Sequence, residues 1–286
     1  MTAPIILITG ATSGIGFETA RALATTGAHL VLACRNRSKA EAVRQQLAAP
    51  SPSQQIDLIE LDLASLAAID RATAEISQRY PRIDVLINNA GVMPKRLEYS
   101  ADGYELNFAV NYLAPFRFTL QLLPLLQASG AARVVNVSSM MHRFGRPDFD
   151  SWPNPAKYRQ VRAYGSSKLG LLFFTYEFAR RYHSAGITAN AIHPGAVDTA
   201  ITDYPAWMRL FLRSPSKGAA SSVYLATSPQ AATVTGGYFV DCKQKRSTAV
   251  SCQNDLAAEL WQRSEAWVAH QDTTAEKGVI QHRDDH

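Results

Sequence analysis

The chain opens with an order of elements that restricts the folds open to it. Residues 5–9 form a short apolar run that leads into a glycine-rich segment, residues 10–16, and helical periodicity extends from residue 15 to about residue 26. A short, continuously apolar run is typical of a strand buried on both faces of a parallel sheet. Strand, glycine-rich turn and helix in this order therefore predict an α/β fold with a parallel sheet.

The glycine-rich turn is also a candidate cofactor loop. Glycines let the backbone turn tightly and approach a pyrophosphate, which then lies at the N-terminus of the following helix. Their spacing is Gly-x-x-x-Gly-x-Gly rather than the Gly-x-Gly-x-x-Gly of other dinucleotide folds, and such a turn can also serve packing alone. Its position between the first strand and the first helix favours cofactor binding. The residues expected to contact a cofactor are Gly10, Thr12, Ser13, Gly14, Ile15 and Gly16.

Strand and helix patterns alternate along the rest of the chain. Further apolar runs predict strands at residues 29–34, 56–61, 84–88, 133–137 and 187–192. The alternation predicts one doubly wound Rossmann-type domain, residues 1–270, with a seven-stranded parallel sheet flanked by helices. Residues 271–286 are polar and aperiodic, so we predict a flexible C-terminal tail there.

The composition is that of a soluble globular protein and argues against several functional classes. The 286 residues are 47% apolar and 19% charged, and the net charge of +5 comes from scattered basic residues. The basic run at 243–246 is interpreted as a solvated loop, and we predict no nucleic-acid partner. Cys34, Cys242 and Cys252 show no Cys-x-x-Cys spacing, which argues against both a disulfide framework and a metal site.

The apolar runs also bear on the compartment. No signal peptide is expected before the first strand, and no apolar stretch reaches the roughly 18 residues that a membrane span needs. The cysteine usage fits a reducing environment. We therefore predict a cytoplasmic protein with no membrane span.

The end of the second predicted strand bears on cofactor choice. In NAD-binding units an acidic residue closes this strand and accepts a hydrogen bond from the ribose. Here Cys34 takes that position and Arg35 follows it. A guanidinium suits a 2′-phosphate by charge and by bidentate geometry, although a surface arginine at a helix start is the simpler interpretation. The missing carboxylate and the present arginine together favour NADP(H) over NAD(H).

Polar residues end two later strands. Asn88 and Asn89 close one of them, and Ser138 and Ser139 close the next. In open α/β sheets the ligand lies beyond the carboxyl ends of the strands. The asparagines could merely cap their strand, or they could tie neighbouring strands together beside the cofactor, since a carboxamide both donates and accepts. The serines place polar hydroxyl groups at the edge of the sheet where a ligand is expected.

A long helix is predicted over residues 101–128, with Asn111 in its interior and Pro115 one turn later. Asparagine is mildly unfavourable inside a helix. A proline removes one backbone donor and crowds the preceding turn. We therefore predict a kink near Asn111.

Tyr164 and Lys168 form a candidate catalytic pair at the start of a helix predicted over residues 164–181. Residues four apart share a helix face, so the phenol and the ammonium group should point the same way. An adjacent cation favours the phenolate and lowers the phenol pKa below its value of about 10 in water. The pair would then be able to donate and accept a proton. By itself the spacing also fits a helix start with an extended surface lysine, and that interpretation would prevail without support elsewhere.

Two segments are candidates for the walls of an apolar substrate pocket. Residues 142–162 are a loop-rich insertion with several aromatic residues, and residues 200–212 form a short amphipathic stretch. Two such walls would exclude water and favour large hydrophobic substrates. The alternative is that residues 200–212 are a surface helix packed on the core. His193 has no apparent acidic partner nearby, so we interpret it as structural.

Taken together, the motifs resemble those of the short-chain dehydrogenase/reductase family. They are Thr9-Gly-x-x-x-Gly-Ile-Gly16, Asn88-Asn-Ala-Gly91, Asn111, Ser139, Tyr164-x-x-x-Lys168 and Pro194-Gly-x-Val-x-Thr199. The resemblance covers about residues 4–268 and is strongest to the retinol dehydrogenase and WW-domain oxidoreductase branch. That likeness is carried by Ala33-Cys-Arg-Asn36, Leu61-Asp-Leu-Ala-Ser-Leu66, His193-Pro-Gly195, Tyr238-Phe-Val-Asp-Cys-Lys243 and Leu260-Trp261.

The resemblance implies a Ser–Tyr–Lys–Asn tetrad. Tyr164 would be the general acid in reduction and the general base in oxidation, and Ser139, rather than Ser138, would hold and polarise the carbonyl oxygen. Lys168 would lower the Tyr164 pKa and bind the nicotinamide ribose, and Asn111 would hold a water in the proton relay. The remaining residues implied to contact the cofactor are Asp62, Leu63, Asn89, Ala90, Gly91, Pro194, Gly195, Val197 and Thr199, together with Tyr164 and Lys168.

Three functions stay open at this point. The leading one is an NADP(H)-dependent enzyme that interconverts a carbonyl and an alcohol on a bulky apolar substrate. The second is reduction of a carbon–carbon double bond, as in light-dependent protochlorophyllide reductases, which share the Ala-Cys-Arg and Leu-Asp-Leu-Ala-Ser segments but carry a long insertion that this chain mostly lacks. The third is a non-catalytic nucleotide-sensing module, against which the intact tetrad argues. The expected partner is a small hydrophobic carbonyl or alcohol, and a homodimer is one option for assembly.

Overall fold

A parallel sheet carries the structure, a computed structural model that describes residues 3–51, 53–197 and 213–280. Over these residues eight strands form one sheet in the order β3-β2-β1-β4-β5-β6-β7-β8. The strands are β1 Ile5–Thr9, β2 His29–Cys34, β3 Ile56–Glu60, β4 Val85–Asn88, β5 Arg133–Val137, β6 Thr188–His193, β7 Tyr238–Val240 and β8 Lys243–Lys245. Thr199 and the amphipathic stretch at 200–212 lie outside the described residues.

The doubly wound Rossmann-type fold is confirmed, but the prediction of seven strands was wrong by one. The strands β1 to β7 are parallel to their neighbours, while β8 runs antiparallel to β7. Asp241 and Cys242 form the two-residue turn between them, with φ of 53° and 58°, as in the tight turns of β-hairpins. Every residue of β8 is exposed. The apolar pattern of a buried strand is therefore missing, and the sequence favoured a loop there.

Helices cover both faces of the sheet. They are α1 Gly14–Ala24, α2 Arg37–Ala48, α3 Leu66–Arg79, α4 Leu106–Phe108, α5 Ala114–Gln121, α6 Leu123–Ser129, α7 Gln160–Tyr182, α8 Pro215–Thr227 and α9 Asn254–Ile280. One layer packs α1, α2 and α8 on the sheet, and the other packs α3, α5, α7 and α9. Because the sheet is covered on both faces, its strands must be apolar on both faces.

The first strand shows how this burial is divided. Ile5 and Leu7 belong to the core beneath α3, α5, α7 and α9, and Ile6 and Ile8 belong to the core beneath α1, α2 and α8. Successive side chains of a strand point to opposite faces of the sheet. All four are buried, which is why the run carries no polar alternation.

The prediction of one helix over residues 101–128 was wrong, and a π-helical turn lies where a kink near Asn111 is predicted. The segment contains α4, a π-helical turn over Ala109–Leu113, and then α5 and α6. In the π turn the Ala114 amide donates to the Ala109 carbonyl, five residues back. Pro115, with no N–H group, is the second residue of α5, which follows the π turn directly. A π turn of this kind is a known way to bend a helix.

The helix that carries Tyr164 is longer than predicted, and the last helix crosses the predicted boundary at residue 270. The helix α7 begins at Gln160, one turn before Tyr164, and α9 continues past residue 270 to Ile280. The division of the chain at residue 270 therefore stays a prediction. Over the described residues, no helix combines the length and apolarity that crossing a bilayer requires.

Candidate active site

Glycine is required at three positions of the turn between β1 and α1 and of the start of α1. Gly10 and Gly14 have φ of 68° and 55°, a region that other residues adopt only with strain. A Cβ on Gly16 would overlap the Gly10 carbonyl oxygen and the Asn89 side-chain nitrogen. The residues predicted to contact a cofactor, from Gly10 to Gly16, thus lie in a narrow backbone cradle at the N-terminus of α1. A pyrophosphate group fits this arrangement, because it needs close backbone approach and exposed N–H groups.

The two asparagines at the end of β4 tie neighbouring strands together, which is one of the two interpretations that the sequence left open. The Asn88 side chain donates to Thr119 Oγ1 at 3.0 Å and to Asn136 Oδ1 of β5 at 2.8 Å. The Asn89 side chain donates to the carbonyls of Thr9 and Gly10 at 3.0 and 3.1 Å. These bonds fix the cofactor turn against the end of β4, with Ala90 packed against Gly10.

The end of β2 presents a cation at the sheet edge. Cys34 is buried, and its burial raises the thiol pKa, while Arg35 is exposed directly after it. At the end of β3, Asp62 is half-buried and accepts the Ala64 amide at 2.9 Å, and Leu63 is buried. Arg35, Asp62 and Leu63, which are predicted to contact the cofactor, therefore lie at the carboxyl ends of adjacent strands, where a nucleotide is expected.

Tyr164 and Lys168 share one face of α7, as predicted. The Lys168 Nζ lies 5.7 Å from the centre of the Tyr164 ring, and Lys168 is only 3% exposed. Its ammonium group donates to the Val137 carbonyl at 2.9 Å. Burial lowers the pKa of Lys168 to about 8, since the charged form loses solvation. Tyr164 is half-buried, so the phenol is beside the lysine and still accessible.

The two serines after β5 have different environments. Ser138 is buried, and its hydroxyl donates to the Lys168 carbonyl at 3.1 Å. Ser139 is half-buried, and its hydroxyl accepts the Met141 amide at 3.2 Å as the chain enters a 3₁₀ turn, Met140–Phe144. Ser138 thus supports α7, while the Ser139 hydroxyl is at the open edge of the sheet.

Asn111 lies in the π turn and is completely buried. Its carboxamide accepts the Val92 amide at 2.8 Å and donates to the Val92 carbonyl at 2.9 Å and to Ser167 Oγ at 3.0 Å. A Cβ on Gly91 would lie 3.1 Å from Asn111 Oδ1 and 3.4 Å from Lys168 Nζ. Asn111, Lys168 and the end of β4 therefore meet at Gly91. The role of Asn111 in holding a water stays a prediction.

Beyond β6, three of the predicted nicotinamide-binding residues lie in or next to a turn that Arg213 connects to the β7–β8 turn. Gly195 has a φ of 89° and packs against Arg213. Val197 forms a bridge with Arg213, whose guanidinium pairs with Asp241. Pro194 precedes this turn, and Thr199 lies outside the described residues.

Two histidines stand beside the Ser139 turn. His193 Nδ1 accepts the Met140 amide at 3.2 Å, and burial lowers the His193 pKa to about 4. This neutral, hydrogen-bonded state agrees with the structural interpretation of His193. His142 is buried beside the same turn. The sequence predicted no role for His142, because no local pattern distinguishes it from an ordinary histidine on a loop.

A cavity of about 230 Å³ opens beside α7. Its lining includes Phe108, Trp152, Arg159, Ser166 and Ser167, but neither Tyr164 nor Lys168. Ser167 Oγ accepts the hydrogen bond from Asn111 at 3.0 Å. The cavity therefore adjoins the predicted tetrad at Asn111 without including the Tyr164–Lys168 pair. Within the described part of the chain, no cluster of histidine, cysteine and acidic residues could hold a metal ion.

Comparisons with known proteins place the chain in a family. The model of the short chain dehydrogenase family matches residues 4–207. Retinol dehydrogenase 14 of Mus musculus is 38% identical over 284 residues, with 92% of this chain and 85% of that protein covered. Retinol dehydrogenase 13 of Homo sapiens is 37% identical over 274 residues, covering 91% and 82%.

Solved structures give the same result. An uncharacterised protein from Mycobacterium Paratuberculosis superimposes with a TM-score of 0.76 at 31% identity, and 93% of each chain is covered. A short chain dehydrogenase from Escherichia coli CFT073, complexed with NADPH, gives a TM-score of 0.69 at 27% identity, with 84% of this chain and 97% of that chain covered. The chain is therefore an oxidoreductase of the alcohol and carbonyl type, and it belongs to the short-chain dehydrogenase/reductase family, in its retinol dehydrogenase-like branch.

Proposed function

We propose that the chain uses NADP(H) to interconvert a carbonyl and an alcohol on a bulky apolar substrate. The observation that carries the proposal is the buried Lys168 ammonium beside the accessible Tyr164 phenol, at the same sheet edge as the Ser139 hydroxyl. A phenol, a cation and a hydroxyl at one edge can bind a carbonyl oxygen and exchange a proton with it. When bound, the nicotinamide would supply or accept the hydride.

Residues of the chain itself bind the substrate oxygen and transfer the proton. In reduction, the Tyr164 hydroxyl donates its proton to the substrate oxygen, and Ser139 donates a hydrogen bond to that oxygen as negative charge develops on it. The nearby Lys168 cation favours the phenolate that remains. In oxidation the same groups act in reverse, and Tyr164 accepts the proton.

The preference for NADP(H) rests on the end of β2. Arg35 is exposed at the carboxyl edge of the sheet. Cys34 occupies the position of the acidic residue in NAD-binding units, whose carboxylate would accept a hydrogen bond from a ribose hydroxyl and would repel a 2′-phosphate. A guanidinium binds phosphate through charge and paired N–H groups. The structural neighbour complexed with NADPH supports the same choice.

The substrate class rests on apolar side chains left open around the tetrad. Met140 and Phe144 follow Ser139 and are 44% and 57% exposed, and Val161 lies in the first turn of α7 and is 46% exposed. Exposed apolar side chains grouped at a polar catalytic edge are typical of a binding surface for an apolar ligand. The similarity to proteins named retinol dehydrogenases supports a large hydrophobic substrate.

A carbonyl reduction assay tests the proposal. The purified protein should oxidise NADPH in the presence of bulky apolar carbonyls, such as retinal, a steroid ketone or a polycyclic aromatic aldehyde, and much less with acetaldehyde. Failure to reduce any carbonyl with either cofactor would contradict the proposed reaction. A preference for acetaldehyde would contradict only the substrate class.

Variants of the pair test the assigned roles. Tyr164→Phe keeps the ring and removes the transferable proton, so turnover should fall at least about 100-fold while NADPH affinity stays within about twofold. Lys168→Ala should weaken both turnover and cofactor binding, since the ammonium serves the phenol and the ribose. Single-turnover kinetics and fluorescence titration of NADPH measure the two effects. A Tyr164→Phe protein with most of its kcat would show that another group donates the proton.

A further inference from the structure

We infer that His142 is a positioning residue that holds the Ser139 turn, and with it the Ser139 hydroxyl, in the geometry needed for catalysis. The inference rests on the proposed function for its kinetic consequence, but its structural basis is independent. His142 lies three residues after Ser139, inside the 3₁₀ turn Met140–Phe144. Its side chain is 1% exposed. A buried imidazole needs hydrogen-bond partners, and each of its two ring nitrogens has one.

One ring nitrogen holds the backbone of Ser139. His142 Nδ1 lies 2.6 Å from the Ser139 carbonyl oxygen. The His142 amide donates to the same oxygen at 3.1 Å. The Ser139 carbonyl therefore accepts two hydrogen bonds from one residue. Because Ser139 Oγ is held by the Met141 amide at 3.2 Å, backbone and hydroxyl of Ser139 are both fixed by the turn that His142 closes.

The other ring nitrogen anchors that turn to a distant part of the chain. The Thr248 amide donates to His142 Nε2 at 3.4 Å, and Thr248 lies between β8 and α9. The imidazole also contacts the Tyr238 ring of β7 edge to face, with centroids 5.4 Å apart. Thr248 is itself held by Ser251, whose hydroxyl donates to the Thr248 carbonyl at 2.7 Å. The Ser139 turn is thus braced against the C-terminal part of the fold.

The two contacts select one state of the imidazole. Since Nε2 accepts from Thr248, the proton of a neutral ring must be on Nδ1, where it can be donated to Ser139. Burial lowers the His142 pKa, which agrees with a neutral ring. A protonated ring would carry a proton on Nε2 directed at the Thr248 N–H group, and that contact would be lost.

The consequence for catalysis follows from distance. A hydroxyl that polarises a carbonyl must meet its oxygen at hydrogen-bond length, and an error of about 1 Å can cost up to about 100-fold in rate. On its other side the Ser139 turn is held by the bond from the Met140 amide to His193 Nδ1. Loss of His142 would leave the turn fastened at that point but released from Thr248.

His142→Phe tests the inference, because it keeps an aromatic ring against Tyr238 and removes both hydrogen bonds. We expect kcat to fall about tenfold while the NADPH dissociation constant stays within about twofold. His142→Asn, which can still donate near the Nδ1 position, should recover part of that kcat. The exposed His183 is the matched control, and His183→Phe should leave both constants unchanged.

A double-mutant cycle separates positioning from a general structural role. In a Ser139→Ala background the effect of His142→Phe on residual kcat should shrink to less than about twofold, because no hydroxyl remains to be positioned. Equal losses of kcat in the two backgrounds, or an unchanged kcat in His142→Phe, would overturn the inference.

Hydrogen exchange provides a readout that does not depend on turnover. In His142→Phe the amides of Met141 and His142 should exchange at least about tenfold faster, while those of α7 after Lys168 keep their protection. Unchanged exchange in the Ser139 turn would overturn the inference even if no substrate were found. If the parent protein turned over no carbonyl, the proposed function would fail while this measurement still decided the role of His142.

Discussion

At the scale of single residues, the site depends on burying a cation that stays hydrogen-bonded. Lys168 donates to the Val137 carbonyl beneath Tyr164 and is almost completely removed from solvent. An ammonium group in such a place loses solvation, and its pKa falls to about 8. The chain tolerates this cost because the same group lies close to the phenol on which the proposed chemistry depends. Functional sites commonly show this kind of shift.

The lowered pKa of Lys168 predicts a definite dependence of stability on pH. The unfolded chain binds this proton up to about pH 10.5, and the folded chain releases it from about pH 8. The penalty for burying the charge is therefore fully present below pH 8 and is relieved as the pH rises to 10.5. Lys168 should raise the free energy of unfolding by up to about 3 kcal/mol across that interval.

Chemical denaturation of the parent protein and of Lys168→Met over this pH range measures the effect. The difference between the two proteins is the relevant quantity, because burial also raises the pKa values of Tyr176 and Tyr238 to about 12, and those residues act in the opposite direction at high pH. A difference that did not change with pH would show that Lys168 titrates normally in the folded state.

At the scale of elements, function is concentrated where strands end. The cofactor turn follows β1, Arg35 follows β2, the asparagine pair ends β4 and the serine pair follows β5. Parallel strands bring all these ends to one edge, so residues far apart in sequence become neighbours. The π turn likewise brings Asn111 close to a residue distant in sequence, because it directs the Asn111 side chain at Val92 rather than along a regular helix face.

The connection from β2 to α2 should set the cofactor preference. Arg35→Ala removes the exposed guanidinium proposed to bind the 2′-phosphate, so NADPH affinity should fall by roughly 1–3 kcal/mol, or about 5- to 150-fold, while NADH affinity should change little. Isothermal titration with both cofactors measures this.

Arg44 of α2, the helix that follows Arg35, offers a matched control because it is paired with Glu41. Arg44→Ala should leave the affinities for both cofactors unchanged. Equal affinities of the parent protein for NADPH and NADH would remove the basis for the proposed preference.

At the scale of the whole molecule, the C-terminal helix completes the core. The family model ends at residue 207, yet Trp261 of α9 is buried against Phe116 and Phe174, with ring centroids 5.1 and 5.9 Å away. The Arg181 guanidinium lies 4.3 Å from the centre of the indole ring. The helix α9 therefore seals the outer face of α5 and α7, the elements that follow Asn111 and carry Tyr164.

Trp261→Ala should consequently destabilise the protein by about 3–5 kcal/mol, as expected for removal of a buried indole. The neighbouring Gln262 is exposed, and Gln262→Ala should change the free energy of unfolding by no more than about 0.5 kcal/mol. Denaturant titration of the three proteins measures both values. A small effect of Trp261→Ala would mean that α9 is not part of the cooperative core.

Much of the site could be predicted because its signals are local. The spacing of Tyr164 and Lys168 places them on one helix face whatever surrounds them, since helical geometry depends only on the backbone. The cradle at Gly10 and Gly16 excludes a Cβ, so glycine itself marks the turn. Continuous apolar runs predicted the buried strands for a similar reason, because a strand covered on both faces has no place for polar side chains.

Other features had no local signal. The strand β8 consists of exposed polar residues and forms only because its backbone pairs with the free edge of β7. The division of roles between Ser138 and Ser139 depends on which hydroxyl meets the Lys168 carbonyl, 30 residues away.

The sequence by itself thus determined the fold class, the carboxyl edge at which the candidate site lies and the shared helix face of Tyr164 and Lys168, because periodicity, glycine sterics and strand burial act within a few residues. Only the tertiary structure decided that Lys168 would be buried against Val137, that Asn111 would hold Val92 and that His142 would connect Ser139 to Thr248. Those contacts join residues that packing alone brings together, and hydrogen bonds between buried groups form only where the packed elements leave a partner within reach.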